Sequence, residues 1–144
     1  MAVGDRKDPY SSFRFLVEID SLVVAGFSEV SGLQAETHIE DYREGGVNDH
    51  VHKLPKETTY SNIILKRGIT DSEVFWKWHQ DVVNGKIERR NGYIVLLDSE
   101  KNETWRWNFL DAYPAKWSGP DLRADSDAVA FESIELVHNG IKKV

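Results

Sequence analysis

The chain contains no cysteine in its 144 residues. That removes disulfides, thiol nucleophiles and thiolate metal sites together, leaves only histidine and carboxylates as possible ligands, and fits folding in a reducing cytoplasm. No apolar run approaches the roughly 20 residues that a membrane helix needs, so no membrane-spanning segment is expected. Met1 to Tyr10 lacks the apolar stretch of a secretory signal, which argues against export by the general secretory route. Positive charge is in deficit, with 18 Lys and Arg against 24 Asp and Glu and a formal net charge of -6. A general nucleic-acid binder needs the opposite balance, although a pore through which DNA passes does not. Enzyme signatures are missing as well: there is no G-x-S-x-G elbow, no H-E-x-x-H and no Walker loop. The chain is therefore read as a non-enzyme with no cofactor.

What is present describes one folded domain. Apolar residues form 40% of the chain and charged residues 29%, and no linker-like stretch divides it, which is ordinary for a soluble domain with its own core. Residues 1–12 mix charge with Gly4 and Pro9 and read as an N-terminal arm; residues 13–144 read as a single domain. Phe13, Phe15, Val17 and Ile19 alternate with Arg14, Leu16, Glu18 and Asp20, the period-2 signature of a strand with one buried face. A turn at Asp20-Ser21 and a Val- and Phe-rich run from Leu22 to Val30 predict a hairpin bent at Gly26. Regular spacing then dissolves over about 35–59, which reads as a long loop, and loops of that length in a compact domain are usually functional.

Tyr60 to Arg67 resumes as a strand. Thr70 and Glu73 stand at capping-box spacing ahead of Val74, Phe75, Trp78 and Val82, which share one helical stripe, and Gly85 is placed to end the last turn. The helix is expected over about 71–84. Tyr93 to Asp98 and Glu103 to Leu110 follow as strands; in the second, Trp105, Trp107 and Phe109 alternate with Thr104, Arg106 and Asn108. Pro114, Gly119 and Pro120 are read as breaking the next segment, and Ala128 to His138 as a last long strand. The fold class is mainly β with one α-helix.

Six segments in this order resemble the tail-tube family of contractile-tailed phages and extracellular contractile injection systems: Phe27 to Leu33, Tyr42 to Gly46, Leu54-Pro55, Tyr60 to Gly68, Trp105 to Phe109, and Pro114 to Trp117. The resemblance covers nearly the whole chain. It implies a β-barrel-like domain of antiparallel sheets flanked by a helix, which joins five further copies of itself into a hexameric ring; rings stack into an inner tube with a central channel. It implies that the arm and the loop at about 35–59 bridge neighbouring subunits and rings, with Tyr42, Arg43, Glu44, Gly45, Gly46, Leu54 and Pro55 as contact candidates. Thr104, Arg106 and Asn108, the polar partners of the core-facing set, are the channel-facing candidates. The implied partners are sheath, baseplate and tube-terminator proteins, and a payload protein or DNA in the channel, in a particle assembled in the bacterial cytoplasm and carried as a phage tail or released injection device. The chain departs from the family in having Ser21 where many relatives carry a turn glycine, and Lys56 where many carry glycine after Leu-Pro.

Other chemistries have few footholds among the residues. Asp49, His50 and His52 could supply metal ligands, but no third histidine is near, and exposed loop histidines are the simpler account. Acidic pairs such as Glu40-Asp41 and Asp125-Ser126-Asp127 read as solvated carboxylates rather than a hydrolytic pair. Of the five tryptophans, Trp78, Trp105 and Trp107 are assigned to helix-on-sheet packing, and Trp117 to either its own chain or a subunit boundary. Lys66-Arg67 and Arg89-Arg90 serve either ion pairs between subunits or surface solubility. Two other functions remain open at this stage: a monomeric binding module with an aromatic-lined mouth, and a single-ring adaptor.

Overall fold

A computed structural model describes residues 9–12, 14–22, 26–43, 45 and 51–144. In chain order the elements are β1 (Phe15–Ile19), β2 (Phe27–Ser31), β3 (Ala35–Tyr42), β4 (His52–Tyr60), β5 (Ile63–Gly68), α1 (Val74–Val83), β6 (Arg90–Leu97), β7 (Glu103–Ser118), β8 (Phe131–Val137) and β9 (Ile141–Lys143). All the strand pairings are antiparallel. One sheet runs in the order β1-β6-β7-β8-β5-β2, with β9 beside β7, and β3 and β4 pair only with each other.

Strand β7 makes this a two-layered body. Its first half pairs with β6 and β9, its second half with β8. Between the halves Asp111 takes a φ of 54°, and its amide donates to Asn91 Oδ1 at 2.9 Å. Pro114 does not break the strand as the sequence suggested, because it falls next to a register shift at Pro114/Lys116, where a ladder amide is dispensable. The fold is barrel-like only loosely, since β1 and β2, the ends of the sheet, do not pair.

Between the layers lie Val17, Ile19, Ile63, Leu65, Phe75, Trp78, Ile94, Phe109, Ala112, Ile134 and Leu136. In β5 and β8 the buried positions alternate strictly with partly exposed or exposed ones, as period-2 strands with one face on a core must. Helix α1 closes the core with Phe75 and Trp78, both buried. It ends in a Schellman arrangement: Lys86 N donates to Asp81 O and Gly85 N to Val82 O, with Gly85 at φ 86°, a conformation glycine adopts without a Cβ penalty.

Several expectations are corrected. The run from Leu22 does not form a hairpin with β1. Ile19 and Leu22 make an isolated bridge, but β1 goes on to pair with β6 and β2 with β5, because Gly26, at φ 80°, turns the chain into the opposite layer. Ser21, in the turn after β1, sits at φ 64°. The capping box does not form: Glu73 is the N-cap without a side-chain cap bond, and the helix begins at Val74. Thr70 Oγ1 instead accepts from the Ser72 amide at 3.2 Å. Above all, the supposed loop at about 35–59 is mostly the β3–β4 hairpin.

Candidate subunit interface

The β3–β4 hairpin is a two-stranded ribbon whose residues are almost all exposed. Every residue of β3 is exposed, and every residue of β4 except His52, which is half-buried. Its ladder runs from Ala35 opposite Tyr60 to Tyr42 opposite His52, with a bulge between Thr37 and Ile39. Cross-strand polar pairs hold it: Thr37 and Thr58 hydroxyls at 2.8 Å on one face, and Thr59 with His38 at 3.3 Å on the other. Isolated two-stranded ribbons are marginal in water, yet this one presents Ile39, Tyr42, Leu54 and Tyr60 to solvent. Large apolar side chains on both faces of an uncovered ribbon mark an interaction element.

Of the contact candidates, Tyr42 and Leu54 lie on one face of the ribbon and Pro55, opposite Ile39, on the other. Arg43 and Gly45 follow β3 and are exposed. Glu44, Gly46, Asp49 and His50 fall outside the described residues. Among the described residues no group of three or more His, Asp or Glu could hold a metal ion. Ile39 was missed in the sequence; its signal is an isolated aliphatic residue amid Glu36, His38, Glu40 and Asp41.

The root of the ribbon is fixed to the body. His138 Nδ1 accepts from the Gly140 amide at 3.1 Å, so its Nε2 carries the proton and donates to Ser61 O at 2.8 Å. The Tyr60 ring packs on His138 at 5.9 Å. Gly32 enters the ribbon at φ 89°, and a Cβ there would overlap the Asn62 carbonyl. Root and body therefore form one rigid unit, from which the ribbon projects.

Thr104, Arg106 and Asn108 do share one face of β7, away from Phe109. The Thr104 hydroxyl donates to Leu96 O at 3.0 Å. Arg106 donates to Glu103 at 2.6 and 3.3 Å, stands 3.6 Å from Glu18 and covers the Tyr93 ring. The Glu103 hydrogen bond is the main cause that raises its already high pKa, against a lowering by burial. Asn108 Oδ1 is buried without a partner within the chain.

The basic pairs are used inside the chain. Arg67 is buried and donates to Glu132 Oε1 at 2.8 Å and to Ser72 O at 3.0 Å. Trp117 Nε1 donates to the other Glu132 oxygen at 3.0 Å and its ring meets Trp76 edge-on at 4.8 Å, so Trp117 packs within its own chain. Lys66 lies over Phe131, Arg89 over Tyr113, and Arg90 pairs with Glu88. Trp107 is packed against the core, whereas Trp105 remains 40% exposed. Sequence reasoning did not foresee the Arg67–Glu132–Trp117 network, because nothing local sets a buried arginine apart from a surface one.

An open two-layered antiparallel body with a rigid, unburied ribbon is the architecture of a subunit built to join others. The family model for the T4-like virus tail tube protein gp19 matches residues 11–142, and the chain belongs to that family. It is therefore a protein of the phage tail tube family. No curated protein sequence matches it. Among solved structures it is similar to a chain of the anti-feeding prophage baseplate, 6-fold symmetrised, at 24% identity and a TM-score of 0.87, covering 96% of this chain and 97% of that one. A chain of the PVC sheath-tube complex in the extended state, an extracellular contractile injection system, matches at 24% and 0.84 over 94% and 91% of the two chains. Hcp1 from Flavobacterium johnsoniae shares the fold more distantly, at 16% identity and 0.51 over 89% and 94%. Among the described residues, no helix is long and apolar enough to cross a membrane.

Proposed function

We propose that the chain is the repeating subunit of an inner tube: six copies form a ring, rings stack, and the stack is a conduit for a payload protein or DNA inside a contractile sheath. The observation that carries this is the β3–β4 ribbon, whose apolar residues are exposed on both faces of a body that is otherwise complete. A ribbon of this kind gains its stability from a second surface. In a tail tube family that surface belongs to neighbouring subunits, in the same ring and in the next. The six-fold symmetry of the anti-feeding prophage structure supports the ring number.

The chain's work in this reading is geometric rather than catalytic. Residues 1–12 and the ribbon bridge subunits, while Thr104, Arg106 and Asn108 face the channel. Sheath, baseplate and terminator proteins are the outer and end partners, and assembly takes place in the bacterial cytoplasm. Negative-stain electron microscopy of the purified protein over a range of concentrations tests the proposal, with light scattering for mass. Six-fold rings or tubes with a central hole are expected. A strictly monomeric particle, even with baseplate components added as nuclei, points instead to a binding module.

A further inference from the structure

We infer that Asn139-Gly140, in the turn between β8 and β9, is a self-modifying site: the Gly140 amide attacks the Asn139 side chain with His138 as the base, and the asparagine becomes aspartate or isoaspartate. The reaction needs no partner and does not rest on the tube reading. It is carried by a comparison of the three Asn-Gly pairs in the chain, Asn84-Gly85, Asn91-Gly92 and Asn139-Gly140. A glycine after asparagine leaves the attacking nitrogen without a Cβ to crowd it, so all three share the local chemistry. They differ in what holds the reacting atoms.

At the first pair the Gly85 amide donates to Val82 O at 3.0 Å, closing the end of α1, and a carbonyl cannot take the proton away. At the second, Asn91 Oδ1 accepts from the Asp111 amide at 2.9 Å, and Gly92 lies in the ladder opposite Ile19, where a Cβ would overlap the Phe109 ring. The Asn91 side chain cannot turn onto the next amide without giving up that bond. At the third pair the contacts favour reaction. The Gly140 amide donates to His138 Nδ1 at 3.1 Å, a nitrogen lone pair that can accept the proton outright. His138 Nε2 donates to Ser61 O at 2.8 Å, which supports the imidazolium as it forms. Asn139 Nδ2 donates to Asp111 Oδ2 at 3.2 Å, so the nitrogen that must leave stands beside a carboxylate. Asn139 is exposed to the water that completes the reaction.

The Gly140 amide proton passes to His138 Nδ1 as the nitrogen bonds to Asn139 Cγ. The imidazolium returns that proton to Nδ2, which takes on positive charge against Asp111 and departs as ammonia when the Cγ–Nδ2 bond breaks. Water then opens the cyclic imide at either carbonyl. The product sets a carboxylate in place of an amide donor on Asp111, so two like charges meet at the bend of β7, where Asp111 holds a φ of 54°. The isoaspartyl form also lengthens the backbone between β8 and β9. The titratable groups around His138 are Tyr60, from β4, with its ring at 5.9 Å, and Asp111, from β7, across Asn139.

The test is prolonged incubation of the purified full chain near neutral pH, followed by peptide mapping in a mass spectrometer and isoaspartate detection with an isoaspartyl methyltransferase. Conversion at position 139 is expected to outpace positions 84 and 91 by about a hundredfold, the low end of what a positioned proton acceptor contributes. Equal rates at the three positions overturn the site. His138→Gln, which offers an amide in place of the imidazole, should remove most of that advantage, with the melting temperature as the check on folding. An unchanged rate in the folded variant overturns the base. Should the variant not fold, the pH profile of the unaltered protein decides: a rate that levels off once the imidazole is neutral supports His138, and one that climbs in proportion to hydroxide throughout overturns it.

Discussion

The body and the ribbon are both antiparallel β-structure, yet they are stabilised in opposite ways. In the body each strand turns a face to Phe109, Leu65 or Ile134, all fully buried. In the ribbon both faces are exposed, and it meets the body at its root, where the Tyr60 ring packs on His138. The body is specified by burial, the ribbon by its ladder and by whatever covers it. The same kind of substitution should therefore affect folding in one region and association in the other.

The largest effect is expected at Phe109. Its ring lies against Gly92, where a Cβ would overlap it, so the space around it is filled. Phe109→Ala should cost about 4 kcal/mol from lost burial and the cavity left behind, seen as a lower urea midpoint with an unchanged slope. Next is Glu132→Ala, which leaves the Arg67 guanidinium buried without its carboxylate and Trp117 Nε1 without an acceptor; about 3 kcal/mol is expected. Glu132→Gln, which keeps an acceptor for Trp117, should cost less. If the two cost the same, the charge and not the hydrogen bonding holds the network.

Ile39→Asp is the counterpart in the ribbon. The subunit's own stability should move by less than about 0.5 kcal/mol, since Ile39 is exposed and touches no core, while sedimentation should show assembly abolished. A large loss of subunit stability would mean that the ribbon is part of the folding unit, and the comparison would fail. Ser21→Gly tests the body from the other side. It relieves a positive φ that costs an L-residue about 1–2 kcal/mol and gives back part of that in chain entropy, for a net gain of about 0.5 kcal/mol by thermal melting.

The same difference explains what the sequence disclosed. Strands β1 and β7 were legible because Val17 and Ile19, and Trp107 and Phe109, flank the polar Glu18 and Asn108, and alternation is the imprint of one buried face; β5 was legible as the apolar run Ile63-Ile64-Leu65 closed by Gly68. Helix α1 was legible because Val74, Phe75, Trp78 and Val82 fall on one stripe. The ribbon left no such imprint: with both faces in water, Ala35 to Tyr42 has no reason to alternate, so a strand pair read as a loop. The contact candidates Tyr42, Leu54 and Pro55 came from family resemblance rather than from pattern. The failed β1–β2 hairpin has the same cause, because pairing partners distant in sequence are chosen by which core face they complete.

The smallest expected effect concerns charge at the connection from α1 to β6. Glu88 Oε1 meets Lys86 Nζ at 3.0 Å and Oε2 meets Arg90 at 2.5 Å. The hydrogen bond from Lys86 is the main cause that holds the Glu88 carboxyl below its ordinary range, followed by the Lys86 charge; desolvation opposes them, and the Arg90 charge is the least of the contributions. The same bond raises Lys86. A depressed carboxylate contributes stability that is complete above its unfolded-state pKa and is lost as pH falls through the lower, folded value. The raised Lys86 is the mirror case: its contribution is complete below its unfolded-state pKa and is lost as pH rises through the folded value. At neutral pH both are therefore in place. Lys86→Ala should shift the Glu88 carboxyl titration upward toward the ordinary range, read by carbon-detected NMR, while the melting temperature at pH 7 hardly moves, because both groups are solvated. An unmoved titration would assign the depression to Arg90, which is tied to Asp20 O as well, and would make this connection part of the body's rigid frame rather than its solvated surface.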